Sequence, residues 1–185
     1  DQAFAFLGER VAGVGDVNGD GYADIAVTAP GYDDGPAFDS GLVVVVHGTR
    51  LRLHDASLPY PDQRSFSLET GGAFLGQILA GVGDVDGDGY ADILAGYQGC
   101  TVIPGLFSEC AVLYRGGPIG AAVFFRPPAQ LNSPFTEVAG LGDVNGDGYA
   151  DIGIAAPRYD HGQTDEGGIF IFNGSPSMFS AGYEI

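Results

Sequence analysis

The decapeptide GDVNGDGYAD, Gly15 to Asp24, returns as GDVDGDGYAD from Gly83 to Asp92 and unchanged from Gly142 to Asp151. The first Asp of each copy stands at Asp16, Asp84 and Asp143, spacings of 68 and 59 residues. A period of that size means that one supersecondary unit is used three times, each unit covering its neighbour. The flanks repeat as well. AFLGERVAGVGD matches AFLGQILAGVGD and, more loosely, SPFTEVAGLGD, while GLVVVVHGT, CAVLYRGG and GIFIFNGS follow downstream.

The apolar runs in these units are short, rich in Val, Ile and Phe, and bounded by Gly, Pro and Asp, which is the pattern of buried strands. Each repeat contains three clear strands, Val11–Gly15, Ile25–Ala29 and Leu42–His47 in the first. A weaker fourth is expected at Ser65–Leu68, Ala122–Phe125 and Tyr183–Ile185. Four antiparallel strands in a repeat of about 60 residues make a β-propeller blade. The expected fold is therefore all-β, one propeller segment over residues 1–185 with blades at about 5–70, 71–130 and 131–185. Val43–Val46 and Ile169–Phe172 are apolar without alternation, as sheets covered on both faces require.

Within the decapeptide, counting Asp16 as position one, side-chain oxygens fall at positions one, three, five and nine: Asp16, Asn18, Asp20 and Asp24. The counterparts are Asp84, Asp86, Asp88 and Asp92, then Asp143, Asn145, Asp147 and Asp151. Position seven, Tyr22, Tyr90 or Tyr149, can add a backbone carbonyl. An all-oxygen set with several carboxylates on a flexible loop suits Ca2+, with one ion expected in each of three sites. Zinc or copper would want His or Cys, which these loops lack. An EF-hand needs a bidentate Glu at position twelve, followed by a helix. Val27, Ala95 and Ile154 stand there inside strands, which excludes helical calcium modules.

These loops, with TAP at Thr28–Pro30 and AAP at Ala155–Pro157, resemble FG-GAP repeats, the blade units of integrin alpha-subunit β-propellers and related bacterial surface proteins. The FG pair is represented by Leu7-Gly8 and Leu75-Gly76, each preceded by Phe, and Phe135 replaces the Gly in repeat three. Ala95-Gly96-Tyr97 stands in place of GAP in repeat two. The resemblance implies calcium loops on one face of the propeller and the links between second and third strands on the other, the usual ligand face. On that face Tyr32, Asp33, Asp34, Tyr159, Asp160 and His161 become candidate ligand contacts.

The net charge of −17 makes nucleic acid and anionic lipid poor partners. Ten of the 24 acidic residues lie in the decapeptides, so much of the acidity is local to the loops. All seven basic residues are Arg, which removes P-loop, Schiff-base and kinase-type lysine chemistry. His47, His54 and His161 are scattered, no HExxH or GxSxG occurs, and no enzymatic activity is expected. No apolar run approaches the ~20 residues of a membrane span, so no membrane insertion is expected. Cys100 and Cys110 flank the link TVIPGLFSE and can reach disulfide geometry. A disulfide beside loops suited to extracellular calcium points to a secreted or cell-surface location.

Two functions are left open: an adhesion module binding a protein or glycan, and a structural module that binds no soluble ligand. Propellers close with about four to eight blades. Three blades therefore call for further blades of a longer chain, which the Asp1 start suggests, or for a second copy in a homodimer of three plus three.

Overall fold

The computed structural model describes residues 2–36, 38–49, 63–67, 75–96, 111–118, 121–125 and 136–184. Among these residues there is no helix, and strands account for the regular structure. The first sheet holds β1 (Val11–Gly15), β2 (Asp24–Ala29), β3 (Leu42–Val46) and β4 (Gln63–Ser67). The second holds β5 (Ile78–Gly83), β6 (Asp92–Gly96), β7 (Ala111–Arg115) and β8 (Ala121–Phe125). The third holds β9 (Glu137–Gly142), β10 (Asp151–Ala156), β11 (Gly168–Ser175) and β12 (Met178–Glu184). Each sheet runs in chain order with every neighbour antiparallel, the arrangement of an FG-GAP propeller blade, and the arc of three sheets is not closed.

The same strand pairing recurs in register. Ile25 pairs with Val46, Ile93 with Tyr114 and Ile152 with Phe172. Each first strand carries a register shift just before its loop, at Gly13/Gly15, at Gly81/Gly83 and opposite Asp151/Ile152. Such a bulge turns the chain out of the ladder, here into the acidic loop. Several strand ends differ from the expected ones, with β2 starting at Asp24, β4 at Gln63 and β8 at Ala121. β3 ends at Val46, before His47, and the next amide, that of Gly48, goes to the Asp24 carboxylate instead of to a ladder partner. The last strand begins earlier, at Met178, while Leu68 and Ile185 lie outside the described residues.

The FG position has a backbone task. Gly8 and Gly76, at φ +99° and +100°, donate their amides to the carbonyls of Thr28 and Gly96. In repeat three Phe135 lies outside the described residues, and Thr136, one place later, donates the corresponding bond to Ala155.

Two apolar layers hold the sheets face to face. In the first layer Val14, Ala26, Val43 and Val45 of one sheet meet Ile93, Ala95, Val112 and Tyr114 of the next. In the second, Val82, Leu94 and Leu113 meet Ile152, Ile154, Phe170 and Phe172. Alternate residues of β6 and β7 thus point to opposite layers, as the pleat demands. The middle sheet is apolar on both faces for that reason: all of β6 is buried, and β7 is buried up to Arg115. The outer sheets are covered on one face only. Val43 and Val45 are buried while Leu42, Val44 and Val46 are partly exposed, and Ile169 of the third sheet is half exposed.

Backbones approach closely where the sheets meet. A Cβ placed on Gly81 would lie 2.6 Å from the Gly13 carbonyl oxygen and 2.7 Å from the Val14 Cα. On Gly140 it would lie 2.7 Å from the Gly81 oxygen and 2.8 Å from the Val82 Cα. Gly13, their counterpart in the first sheet, has nothing within 4 Å. None of the three has positive φ, so the difference is one of packing alone. Gly81→Ala and Gly140→Ala should therefore each cost about 1–3 kcal/mol or more by overpacking. Gly13→Ala should be neutral or stabilise by about 0.4–1 kcal/mol through the unfolded chain. Urea denaturation of the three variants measures this, and equal effects at all three would contradict the stacking.

Candidate functional site

The three acidic decapeptides form the β1–β2, β5–β6 and β9–β10 links and share one hydrogen-bonding scheme. In the first, Asp16 Oδ1 accepts the amides of Gly19 at 2.7 Å and Asp20 at 3.1 Å, and Oδ2 accepts that of Gly21 at 2.8 Å. Asn18 Oδ1 accepts the Asp20 amide, and Asp20 Oδ1 accepts the Tyr22 amide. Asp84 and Asp143 repeat the first pattern on Gly87, Asp88 and Gly89 and on Gly146, Asp147 and Gly148. Winding a chain this tightly around one carboxylate needs left-handed residues. Gly19 and Gly21 supply them at φ +78° and +88°.

Position nine is different in kind. Asp24, Asp92 and Asp151 are fully buried at the start of each second strand. Asp24 Oδ2 accepts the Val17 amide at 2.9 Å, and Oδ1 accepts the Gly48 amide at 2.7 Å. Asp92 takes Val85 and Gly116 in the same way, and Asp151 takes Val144 and Gly174. Each of these carboxylates ties its loop to the end of the third strand. Burial pushes the Asp92 carboxyl up to about 6, against the lowering effect of its two amide donors. A positive charge in the loop would relieve that cost.

The loops also join one sheet to the next. The Ala91 amide donates to the Asp16 carbonyl and Ala150 to Asp84, while Gly117 donates to Val17 and Ser175 to Val85. The Tyr90 ring lies over Gly19, and the Tyr149 ring lies over Gly87. Gly146 has nothing over it.

Carboxylate oxygens of Asp84, Asp86 and Asp88 lie within 4.8 Å of one another, a convergent hard-oxygen donor set that fits a divalent cation of the calcium type. His47, Arg115 and Asn173 hold corresponding places near the end of the third strand, each followed by the glycine whose amide reaches position nine. His47 Nδ1 lies 3.2 Å from Asp24 Oδ2, with both groups buried. Arg115 forms ion pairs with Asp86 and, at 3.1 Å, with Asp88. Sequence reasoning missed this position. The shared residue-then-glycine pattern, His47-Gly48, Arg115-Gly116 and Asn173-Gly174, is the signal that could have found it.

The candidate ligand residues sit at the opposite end of the sheets, in the β2–β3 and β10–β11 links. Tyr32 and Asp33 are partly exposed and Asp34 is exposed. Asp33 Oδ1 accepts the Asp39 amide, and Asp160 Oδ1 accepts that of Asp165. Asp160 and His161 are exposed, whereas Tyr159 is buried with its ring edge-on to Phe170 at 4.9 Å. The same end carries exposed aromatic residues that sequence reasoning did not single out. Phe4, at 83 % exposure, and Phe6, at 63 %, both have positive φ and lie against Gly31, and Phe38 in the link is also exposed. Cys100 and Cys110 lie outside the described residues.

A family model described as FG-GAP repeat matches residues 8–46 and 135–172, which cover β1–β3 of the first sheet and β9, β10 and the start of β11 of the third. Integrin alpha-V of Gallus gallus is 31% identical over 147 residues, covering 77% of this chain and 13% of that protein. Integrin alpha-PS2 of Drosophila melanogaster is 36% identical over 115 residues, covering 57% and 8%. Integrin alpha-IIb of Mus musculus is 34% identical over 118 residues, covering 64% and 10%. The chain thus spans between 8% and 13% of the length of these relatives. With the repeated loops, the matching sheets and these similarities together, the chain is a carrier of FG-GAP repeats, similar to integrin alpha subunits.

Proposed function

We propose that the chain is a calcium-stabilised segment of an extracellular β-propeller that serves adhesion, or binding of a protein or glycan. Its blades are taken as about 5–70, 71–130 and 131–185. The observation that supports this reading is the threefold loop geometry: each first Asp gathers the amides of its loop in the same way, and in the second loop the oxygens of Asp84, Asp86 and Asp88 lie within 4.8 Å of one another. One Ca2+ in each loop would take the oxygens at positions one, three, five and nine and the carbonyl at position seven. Each position-nine carboxylate retains acceptor capacity beside its two amide bonds, on Oδ1 in the case of Asp24, whose Oδ2 also meets His47. Similarity to integrin alpha subunits supports the cell-surface setting, with a Cys100–Cys110 disulfide as part of it. Among the described residues no helix is long and apolar enough to cross a membrane.

The ligand end of this reading is the surface formed by Asp34, Asp160 and His161 with Phe4, Phe6 and Phe38. Exposed aromatic rings beside acidic groups suit a protein or glycan partner better than a nucleic acid. Tyr32 and Asp33 contribute at its edge, and Tyr159 supports it from below. The reading includes no catalytic role.

Calcium titration by calorimetry should give about three sites. Asp20→Ala, Asp88→Ala and Asp147→Ala should each remove about one. A ligand that binds only the folded state at a hundred times its Kd adds about 2.7 kcal/mol per site, so chelation should lower Tm. No calcium uptake at millimolar concentration would contradict the reading.

The half-covered outer sheets favour a second reading, in which the segment is an assembly module. The face bearing Ile25, Val27, Val44 and Val46 is apolar and partly exposed, and Leu141 and Ile169 are exposed on the outer face of the third sheet. Both faces would be closed by further blades or by a second copy, three blades meeting three. Light scattering on the isolated 185-residue chain should show association. A soluble, folded monomer with no tendency to associate would contradict this second reading.

A further inference from the structure

The three loops are not electrically equal. Position three is Asn18 in the first and Asn145 in the third but Asp86 in the second, so loop two carries one more carboxylate. Asn18 and Asn145 donate their side-chain amides to Asp20 at 3.0 Å and to Asp147 at 2.9 Å, bracing the loop internally. Asp86 has no amide to give. Its side chain is 3 % exposed, and a buried carboxylate without a partner is costly. Arg115 supplies the partner: its guanidinium pairs with Asp86 and reaches Asp88 Oδ2 at 3.1 Å. The same two carboxylates belong to the convergent set that would hold a cation. The corresponding residue in the third sheet is the neutral Asn173, and in the first it is His47, which turns to Asp24 instead.

We propose that Arg115 is a tethered counter-ion of loop two, competing with calcium for Asp86 and Asp88 and holding the loop assembled when calcium is scarce. The proposal rests on the calcium reading given above. It makes loop two the weakest and most readily exchanged of the three sites. Calcium entry there requires the guanidinium to swing out, and its partly exposed position allows that movement. Loops one and three, with no such cation on their second and third ligands among the described residues, fill first.

The test is calcium calorimetry on the full chain with variants at positions 86 and 115. In the wild type, Asp88→Ala should delete the weakest binding step. Arg115→Gln should strengthen that step by at least about tenfold, the order expected when a unit charge a few ångströms away is removed and the interaction is screened as in water. The same variant should lose stability in calcium-free buffer and regain it when calcium is added. Should Arg115→Gln fail to fold without calcium, the double variant Asp86→Asn/Arg115→Gln leaves no buried acid unpaired. It should bind about tenfold more tightly at loop two than Asp86→Asn alone. Unchanged or weaker calcium binding on removal of Arg115 in both backgrounds would overturn the proposal while leaving the calcium reading intact. A wild-type chain that takes up no calcium would overturn both.

Discussion

Each repeat is organised by a carboxylate that water never reaches. Asp24, Asp92 and Asp151 each accept two backbone amides, one from their own loop and one from a glycine at the end of the third strand. Hydrogen bonds to a charged acceptor contribute about 1.5–3 kcal/mol each, so the pair fixes a loop that has no apolar core of its own. Once position nine is anchored, position one can gather the three amides of the loop, and the remaining oxygens converge. The metal chemistry proposed for these loops is therefore downstream of a purely structural device. Its electrostatic cost, visible in the raised Asp92 carboxyl, is what a bound cation would offset.

Stacking is the second dependency. The middle sheet is apolar on both faces because it lies between two others, and the glycines at its edges are required by backbones that almost touch. The loops follow the same rule. Their carbonyls receive amides from the next repeat, and their tyrosine rings cover the preceding loop's glycine. Sheet packing and loop packing therefore propagate together, so an uncovered sheet face comes with an uncovered loop glycine at Gly146.

Much of this was legible in the residues. Short Val- and Ile-rich runs between Gly and Asp located the strands within a few residues, and the repeat length pointed to four strands per unit. Continuous apolar runs at Val43–Val46 and Ile169–Phe172 predicted two-sided cover, yet both strands alternate between buried and partly exposed residues because they lie in outer sheets; two-sided cover belongs to the middle sheet. What the sequence hid depends on contacts far apart in the chain. Nothing near Asp24 announces that its partner is the Gly48 amide, 24 residues on. Arg115 reads as one surface basic residue among seven until the hairpin brings it onto Asp86. Phe4 and Phe6 read as ordinary apolar positions, and only their positive φ and exposure set them apart.

The central claim is that buried aspartates hold the loops, with or without an ion. Site-resolved amide hydrogen exchange on the calcium-free chain tests it most directly. The account predicts that the Val17, Val85 and Val144 amides, although outside any strand, exchange as slowly as amides inside the central strands. The Gly48, Gly116 and Gly174 amides should behave the same way. Exchange of these six at the rate of open turn amides would contradict the account, whatever the loops bind.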